Sequence, residues 1–221
     1  MEINIQKRVL EVNETHAERN RRYFKENNVF VLNLMSSPGS GKTETLCKTL
    51  TRLMKKIKVG VIVGDVCTTN DADRLEVTGA KVTQINTDQF GGDCHLAAGM
   101  IETSAKEMGI EDLDLLIVEN IGNLVCPAEF DIGEDARAVM LSVTEGEDKP
   151  LKYPLMFQVA DAAILNKIDL LPYLDFDARL AVDNMLRVHP KMPVFELSAK
   201  TEEGIEPWVQ WLEDQVAAKK A

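Results

Sequence analysis

The sequence has few aromatic residues, few histidines and few cysteines, and it lacks a long apolar run. Aromatic residues make up 5% of the 221 positions, and the chain contains three histidines and four cysteines. No stretch approaches the length of a membrane span, and segment 1–28 is charged and polar, without the apolar centre of a secretory signal. These absences predict a cytoplasmic protein, in which Cys47, Cys67, Cys94 and Cys126 are expected to be thiols rather than disulfides.

Positive charge is also scarce. The chain has 25 Lys and Arg residues against 36 Asp and Glu residues, which gives a formal net charge of −11 at pH 7. Nucleic-acid-binding proteins usually present a basic face to the phosphate backbone, so nucleic acid is not an expected partner, and neither is a membrane. The hydrophobic fraction of 45% and the charged fraction of 28% are those of an ordinary globular protein.

Apolar, strand-like runs alternate along the chain with helical patterns. This rhythm predicts an α/β fold, a mostly parallel sheet flanked by helices. The predicted strands are 29–36, 58–65, 81–87, 113–119, 137–143, 161–166 and 193–198. The predicted helices are 5–27, 42–56, 70–79, 94–108, 177–188 and 204–219. Segment 145–154 is polar and broken by prolines, so a loop is predicted there. We expect a single domain over residues 1–221, with an N-terminal helix at about 5–27.

A phosphate-binding loop follows the first predicted strand. Residues 36–43 read Ser-Ser-Pro-Gly-Ser-Gly-Lys-Thr, and Ser36 stands where the general pattern has glycine. The backbone N–H groups of such a loop, with the helix N-terminus beyond it, surround phosphate oxygens. Lys42 is predicted to reach the β- and γ-phosphates, and the Thr43 hydroxyl to hold Mg²⁺. The residues of this loop expected to bind the nucleotide are Gly39, Ser40, Gly41, Lys42, Thr43 and Glu44.

Two motifs at later strand ends predict that the base is guanine. Ligands of an open α/β sheet bind at the carboxyl ends of the strands, where both motifs lie. Asp169 can accept hydrogen bonds from the ring N–H and the amino group of guanine, which adenine does not offer in that arrangement. An unpaired buried carboxylate is costly, so ATP should be rejected, and the predicted fold is that of a P-loop GTPase. The residues expected to contact the base are Asn166, Lys167, Asp169, Ser198, Ala199 and Lys200.

Hydrolysis of GTP requires a carboxylate near Mg²⁺ and a backbone N–H near the γ-phosphate. Glu119, at the end of the strand predicted at 113–119, stands where most GTPases have aspartate, and Asp65 is the other candidate beside the metal. Gly122 is predicted to offer its N–H to the γ-phosphate. No glutamine follows Gly122 at the usual water-orienting position, so slow intrinsic turnover is expected.

Asp71 and Asp73 have two possible roles. In a mobile switch after strand 58–65 they would lie near the γ-phosphate. Equally, they would serve as capping and first-turn acids of the helix predicted at 70–79. The sequence leaves both roles open.

Cys94, His95 and Cys126 form a second group of chemically distinctive residues. Each follows a strand that ends at the edge of the sheet predicted to bind the nucleotide, and Cys and His are ligands of Zn²⁺ and Ni²⁺. Three ligands leave a tetrahedral ion one short, which suits an exchangeable ion or a site completed across a two-fold dimer. Packing in the core remains the alternative for these residues. Cys47 is expected in the core, and for Cys67 packing is favoured over ligation.

These residues together resemble the HypB family, the GTPases that assist nickel insertion into nickel–iron hydrogenase, over nearly the whole chain. The resemblance implies a GTP-dependent homodimer with Ni²⁺ or Zn²⁺ held at the interface by Cys94, His95 and Cys126. It also implies that Lys149 approaches the nucleotide of the neighbouring subunit, and that the partners are a hydrogenase large-subunit precursor and other maturation proteins. The matching segments are 36–43, 64–65, 71–74, 94–95, 119–127, 144–150 and 166–169.

Two departures from the family pattern limit what the resemblance implies. Many relatives have an N-terminal cysteine motif or a histidine-rich tract that binds nickel, whereas segment 1–28 has no cysteine and only His16. Many also have a further histidine shortly after the Cys-His pair, where this chain has Leu96 to Met100. High-affinity nickel storage is therefore not expected, and nickel is expected at the Cys94, His95 and Cys126 site.

Three other functions remain as alternatives. A urease-type nickel accessory GTPase is the nearest, although segment 119–127 favours the hydrogenase branch. A P-loop small-molecule kinase would need no guanine motif, so segment 166–169 argues against it. A metal-storage module without catalysis would not need Lys42, Thr43 and Asp169.

Overall fold

The computed structural model describes residues 5–65, 70–87 and 94–221, with the backbone alone described at 5–7, 65 and 70. Its strands are β1 (Phe30–Ser36), β2 (Val59–Asp65), β3 (Lys81–Asn86), β4 (Leu115–Glu119), β5 (Ala136–Ser142), β6 (Ala162–Asn166) and β7 (Val194–Glu196). In the described part of the chain they form one parallel sheet in the order β3-β2-β4-β1-β5-β6-β7. The predicted α/β fold is confirmed, and each predicted strand lies within two residues of an observed one.

Helices cover both faces of the sheet. They are α1 (Ile5–Glu26), α2 (Lys42–Leu53), α3 (Asn70–Glu76), α4 (Ala98–Met108), α5 (Cys126–Glu129), α6 (Lys149–Lys152), α7 (Pro154–Gln158), α8 (Ala178–Val188) and α9 (Ile205–Lys220), with a 3₁₀ helix at Ile168–Tyr173. Among the described helices, none is both long and apolar enough to cross a membrane.

The prediction of a loop over 145–154 is wrong in part, because α6 and the start of α7 lie within it. Proline occupies the first turn of both helices, where its missing N–H and fixed φ are tolerated. The prolines therefore start these two short helices rather than breaking them.

Apolar residues pack on both faces of the sheet. One cluster joins α2 and α9 to the sheet around Leu46 and Trp208. A second joins α1 and α4 through Phe24 and Ile101, and a third lies under α7 and α8. Strands β1, β4 and β6 are buried along their whole length, as their apolar runs predict. Ser36, Glu119 and Asn166 are buried polar residues at the ends of these strands, whereas Asn33 is fully buried in the middle of β1.

Helix α1 is fastened to the rest of the fold by two buried asparagines. Asn13 Oδ1 accepts from the Ala98 N–H at 2.8 Å, so it caps α4 from 85 residues away. Asn20 Nδ2 donates to the carbonyls of Ala98 and Ile132 at 2.8 and 2.9 Å. Because the first N–H groups of a helix need acceptors, α4 begins at Ala98, where α1 supplies one, and not at residue 94 as predicted.

Gly133 lies directly under α1, which gives a first prediction. A Cβ atom at this position would come within 2.6 Å of Ala17 O and of Asn20 Cβ, and the φ angle is +86°. Gly133→Ala is therefore expected to destabilise the protein by about 1–3 kcal/mol from overpacking, added to about 1 kcal/mol from the left-handed backbone. The change is measured as the free energy of urea unfolding.

Gly79 supplies the matched control for this prediction. Its φ angle of +87° is nearly the same, but a Cβ atom there would meet nothing within 4 Å. Gly79→Ala should therefore show the backbone effect alone. Equal losses in the two variants would contradict the close packing of α1 on Gly133.

Candidate nucleotide site and metal centre

The loop between β1 and α2 holds its lysine through Ser36. Lys42 Nζ and Ser40 Oγ donate to Ser36 Oγ at 2.7 and 2.8 Å, and Ser36 Oγ donates to the Ser37 carbonyl at 2.7 Å. Ser36 is fully buried. The residue that departs from the general pattern thus orients the lysine predicted to reach the phosphates.

The segment after β6 contacts this loop directly. Asn166 Nδ2 donates to the Ser40 carbonyl at 2.9 Å, and Lys167 Nζ donates to the Gly39 carbonyl at 2.7 Å. Lys167 has a φ angle of +66°, a conformation that costs a non-glycine residue energy and that its surroundings must maintain. The base-binding and phosphate-binding segments predicted from the sequence therefore lie side by side.

Segment 198–200 completes the same surface. Ser198 Oγ donates to Asp169 Oδ1 at 2.6 Å, and the Ala199 N–H donates to Asn166 Oδ1 at 3.1 Å. Asp169 is half-buried, whereas Lys200 is exposed. Two loops that are about 30 residues apart in sequence thus hold the carboxylate predicted to recognise guanine.

Thr43 and Glu119 meet in the lining of a cavity of about 330 Å³. The Thr43 hydroxyl donates to Glu119 Oε1 at 2.7 Å, and both residues are buried. Hydroxyl and carboxylate oxygens are the protein ligands that Mg²⁺ prefers, so these residues fit that ion. The cavity is lined by Gly39, Gly41, Lys42, Thr43, Glu44, Asp71, Arg74, Glu119 and Lys167.

Arg74 is a cavity residue to which sequence reasoning gave no role. It forms ion pairs with Glu44 and, at 3.8 Å, with Asp71. Asp71 and Asp73 lie in the first turn of α3, and Asp71 also lines the cavity. The signal in the sequence was the run Asp71-Ala-Asp-Arg74, in which a cation follows two acids. The side chain of Asp65, the other predicted Mg²⁺ ligand, and the whole of Cys67 lie outside the described residues.

Gly122 lies against the phosphate-binding loop. A Cβ atom on Gly122 would come within 2.8 Å of Pro38 Cα and 3.0 Å of Pro38 N, so only glycine permits this approach. The segment that follows β4 is therefore in backbone contact with the loop that holds Lys42. This segment contains, in order along the sequence, Glu119, Gly122 and Cys126.

Cys94, His95 and Cys126 lie together. Their donor atoms are all within 4.8 Å of one another, Cys94 is exposed, and His95 and Cys126 are half-buried. Ligand atoms of one tetrahedral ion lie about 3.3–3.8 Å apart, given bond lengths of about 2.0–2.3 Å, so small side-chain rotations would bring all three onto one ion. Burial and the neighbouring Cys94 raise the pKa of the Cys126 thiol to about 11.

Two further residues orient these donors. Asn123 Nδ2 donates to Cys126 Sγ at 3.5 Å, and Asn123 Oδ1 accepts from the N–H groups of Val125 and Cys126, so it shapes the start of α5. The rings of His95 and Phe130 stack at a centroid distance of 3.7 Å. Because hydrogen bonds and contacts around ligands fix their orientation, both residues belong to this centre. The sequence predicted no role for either residue, although Asn123 occupies the position after Gly122 where the water-orienting glutamine is missing.

Lys149 is the residue predicted to approach the nucleotide of a neighbouring subunit. It begins α6, and its Nζ is 5.5 Å from the centroid of the Tyr153 ring. Among the described residues that line the cavity, Lys149 is absent. Its predicted contact with the nucleotide of a second subunit stays a prediction.

The parallel sheet, the loop between β1 and α2, and the Asn166–Asp169 segment at the end of β6 define a P-loop nucleotide-binding protein. Residues 30–196 match the family model described as the CobW/HypB/UreG nucleotide-binding domain. The chain belongs to the HypB family of hydrogenase maturation factors, and the resemblance inferred from the motifs is confirmed.

Relatives in this family are similar over most of their length. The hydrogenase maturation factor HypB of Rhizobium leguminosarum bv. viciae is 49% identical over 217 residues, which are 98% of this chain and 72% of that protein. The crystal structure of HypB from Archaeoglobus fulgidus is 37% identical with a TM-score of 0.87, over 94% of this chain and 100% of that one. The crystal structure of HypB from Helicobacter pylori in complex with nickel is 40% identical with a TM-score of 0.86. The match covers 93% of this chain and 95% of that one.

Proposed function

We propose that this protein is a GTP-hydrolysing nickel metallochaperone that assists nickel insertion into a hydrogenase precursor. The observation that carries the proposal is the single segment 119–126. It begins at the carboxylate bonded to Thr43, passes Gly122 against the phosphate-binding loop, and ends at Cys126 beside two other metal donors. A change at the γ-phosphate would therefore displace a metal ligand.

The nucleotide is proposed to be GTP. Asp169 would accept hydrogen bonds from the N1–H and the 2-amino group of guanine, with Ser198 supporting the carboxylate. The Ala199 N–H, which donates to Asn166 Oδ1 in this structure, would also donate to the O6 atom, and the Lys167 stem would cover the face of the base. Asn166 would keep the base-binding segment against the phosphate-binding loop, because it is bonded to the Ser40 carbonyl.

Hydrolysis is proposed to depend on electrostatic stabilisation and positioning. Lys42 would neutralise charge on the β- and γ-phosphates, and the Gly122 N–H would donate to a γ-phosphate oxygen. Thr43, with Glu119 or Asp65 behind it, would hold Mg²⁺, which would supply positive charge to offset that of the phosphates when bound. Asp71 and Arg74 at the cavity wall are proposed to respond to the γ-phosphate.

Nickel is proposed as cargo at Cys94, His95 and Cys126. Thiolate and imidazole donors suit Ni²⁺ and also Zn²⁺, so Zn²⁺ would compete for the site. Binding requires the thiols to lose their protons, which makes affinity rise with pH. A site with three protein donors and an exposed cysteine leaves a position for a donor from a second subunit or from the acceptor protein.

GTP is proposed to favour a homodimer in which Lys149 approaches the nucleotide of the other subunit. Support comes from the family resemblance, and Lys149 is not among the described residues that line the nucleotide cavity of its own chain. We also propose that the chain forms one domain, because Asn13 and Asn20 tie the N-terminal helix to α4 and to segment 131–133.

The proposal is tested by measuring nickel affinity and dimer fraction with GDP and with a non-hydrolysable GTP analogue. The affinity is expected to differ by about 5- to 150-fold between the two nucleotides, the usual range of coupling between sites. The dimer fraction, measured by light scattering, should rise with the analogue, and GTP should yield GDP and free phosphate. Equal nickel affinity in both nucleotide states would contradict the coupling, and phosphate transfer to a small molecule would indicate a kinase.

A further inference from the structure

Two neighbouring residues at the end of β4 contact opposite sides of the sheet. Glu119 bonds to Thr43 on the side of the phosphate-binding loop. Asn120 follows it, is 1% exposed, and pairs with β1 through its N–H to Leu34 O at 3.0 Å. Because successive strand side chains point to opposite faces, the Asn120 side chain reaches the α4 side, where it meets Leu96. One peptide unit thus separates a group of the nucleotide site from a group facing the metal centre.

The side-chain oxygen of Asn120 joins the two segments that carry the metal donors. Asn120 Oδ1 accepts from the Leu96 N–H at 3.1 Å and from the Ile121 N–H at 2.9 Å. Leu96 directly follows His95, and Ile121 directly precedes Gly122. Breaking either bond would leave a buried N–H without that acceptor, which is costly, so Leu96 is tied to the backbone of Asn120 and Ile121.

A chain of buried hydrogen bonds fixes the Asn120 amide itself. Its Nδ2 donates to Asn33 Oδ1 at 3.1 Å, and Asn33 Nδ2 donates to Glu134 Oε1 at 3.2 Å. Glu134 also accepts from Arg137 Nε at 2.5 Å and from the Ile132 N–H at 2.8 Å. With two N–H donors on one side and a carbonyl on the other, the orientation of the amide is determined. This series of hydrogen bonds ends in the segment that directly follows Phe130. The Phe130 ring stacks on His95.

We infer that Asn120 is the positioning residue that transmits the state of the nucleotide site to the metal centre. The inference rests on the proposed function and names the device that regulates its metal site. The backbone of Ile121 and Gly122 moves toward or away from a γ-phosphate. Through its hydrogen bond to the Leu96 N–H, Asn120 Oδ1 either pulls Leu96 along with this movement or releases Leu96. Cys94 and His95 then change position relative to Cys126, and the affinity for Ni²⁺ changes.

The alternative is that Asn120 only satisfies buried polar groups. Both roles predict a loss of stability on substitution, so stability does not separate them. They differ in the ratio of nickel dissociation constants measured with GDP and with a GTP analogue. A purely structural residue leaves that ratio unchanged, whereas the positioning role requires that the ratio collapse.

The test uses the full chain and three variants. Asn120→Leu has a similar volume and no acceptor, and Asn120→Asp keeps an accepting oxygen. Asn184→Leu is the matched control. Asn184 is also buried, at 3% exposed, and it lies on α8, where it donates to the Glu147 carbonyl and not to the segments that carry the three metal donors. The probe is Ni²⁺ alone, titrated in the presence of each nucleotide. The affinity for the GTP analogue is measured in every variant.

We expect the parent, Asn120→Asp and Asn184→Leu to show a ratio of about fivefold or more, the lower limit of typical coupling. In Asn120→Leu the ratio of nickel dissociation constants should fall below about twofold, while the affinity of this variant for the GTP analogue is unchanged. A parental ratio in Asn120→Leu overturns the inference and leaves the proposed function intact. A ratio near one in the parent overturns the proposed coupling itself.

A second measurement serves if Asn120→Leu does not fold. Amide hydrogen exchange of Leu96 and Ile121 is measured in the parent with GDP and with the GTP analogue. The protection of both amides is expected to change together, because they share one acceptor. A change at Ile121 with none at Leu96 would overturn the inference without any substitution.

Discussion

Asp169→Asn is expected to lower the affinity for GTP about 10²- to 10⁴-fold, because two hydrogen bonds to a charged group are worth about 1.5–3 kcal/mol each. It should also create affinity for xanthosine triphosphate. Asparagine offers one acceptor and one donor where aspartate offers two acceptors. Xanthine presents an N–H beside a carbonyl, so it pairs with asparagine, whereas guanine presents an N–H beside an amino group. The measurement is a titration of both nucleotides against each protein.

The control for this prediction is Asp175→Asn, an exposed aspartate just beyond the 3₁₀ helix that contains Asp169. It makes the same change of charge without touching the proposed base site. Both nucleotides should bind it as they bind the parent. Unchanged GTP affinity in Asp169→Asn, with no gain for xanthosine triphosphate, would mean that the base lies elsewhere.

Cys126→Ala is expected to weaken Ni²⁺ binding by more than about 100-fold, because changes in the residues behind a metal ligand already cost about 10–100-fold. Nickel affinity is measured by competition with a chromophoric chelator, and binding of GTP is measured in parallel. Binding of GTP should be retained, since Cys126 does not line the nucleotide cavity. Any remaining nickel affinity should no longer depend on the nucleotide.

Cys47→Ala is the matched control for the loss of a thiol. Cys47 lies on α2, where its Sγ contacts the Arg74 carbonyl at 3.6 Å, away from Cys94 and His95. It should bind nickel as the parent does. Parental nickel affinity in Cys126→Ala would show that the three-donor site is misassigned and would remove the metallochaperone proposal.

The parts of the fold that sequence predicted well are those specified locally. The strand β1 is an apolar run broken only by Asn33 before it reaches Ser36, and the Ser-Ser-Pro-Gly-Ser-Gly-Lys-Thr segment that begins there belongs to one loop type, so position and ligand class could both be inferred. The base-binding segments at 166–169 and 198–200 were placed by one topological rule, since parallel strands end at a common edge. Their contact with the phosphate-binding loop follows from that rule.

Features that depend on distant contacts were not predicted. The start of α4 at Ala98 depends on Asn13, which no local pattern of 94–108 reveals. The role of Asn120 depends on Asn33 and on Leu96, which lie in other elements. One signal was available. Asn33 interrupts an otherwise apolar strand, and a buried amide requires partners, so its presence indicates a polar network without saying where the network leads.

The two asparagines that fasten α1 place a condition on the length of that helix. Asn13 and Asn20 are seven residues apart, close to two full turns, so both reach the same side. Inserting or deleting one residue between them would swing one amide about 100° around the axis, toward water. We therefore expect relatives of this chain to vary the exposed side chains between the two asparagines, while alignment gaps should fall before the first asparagine or after the second.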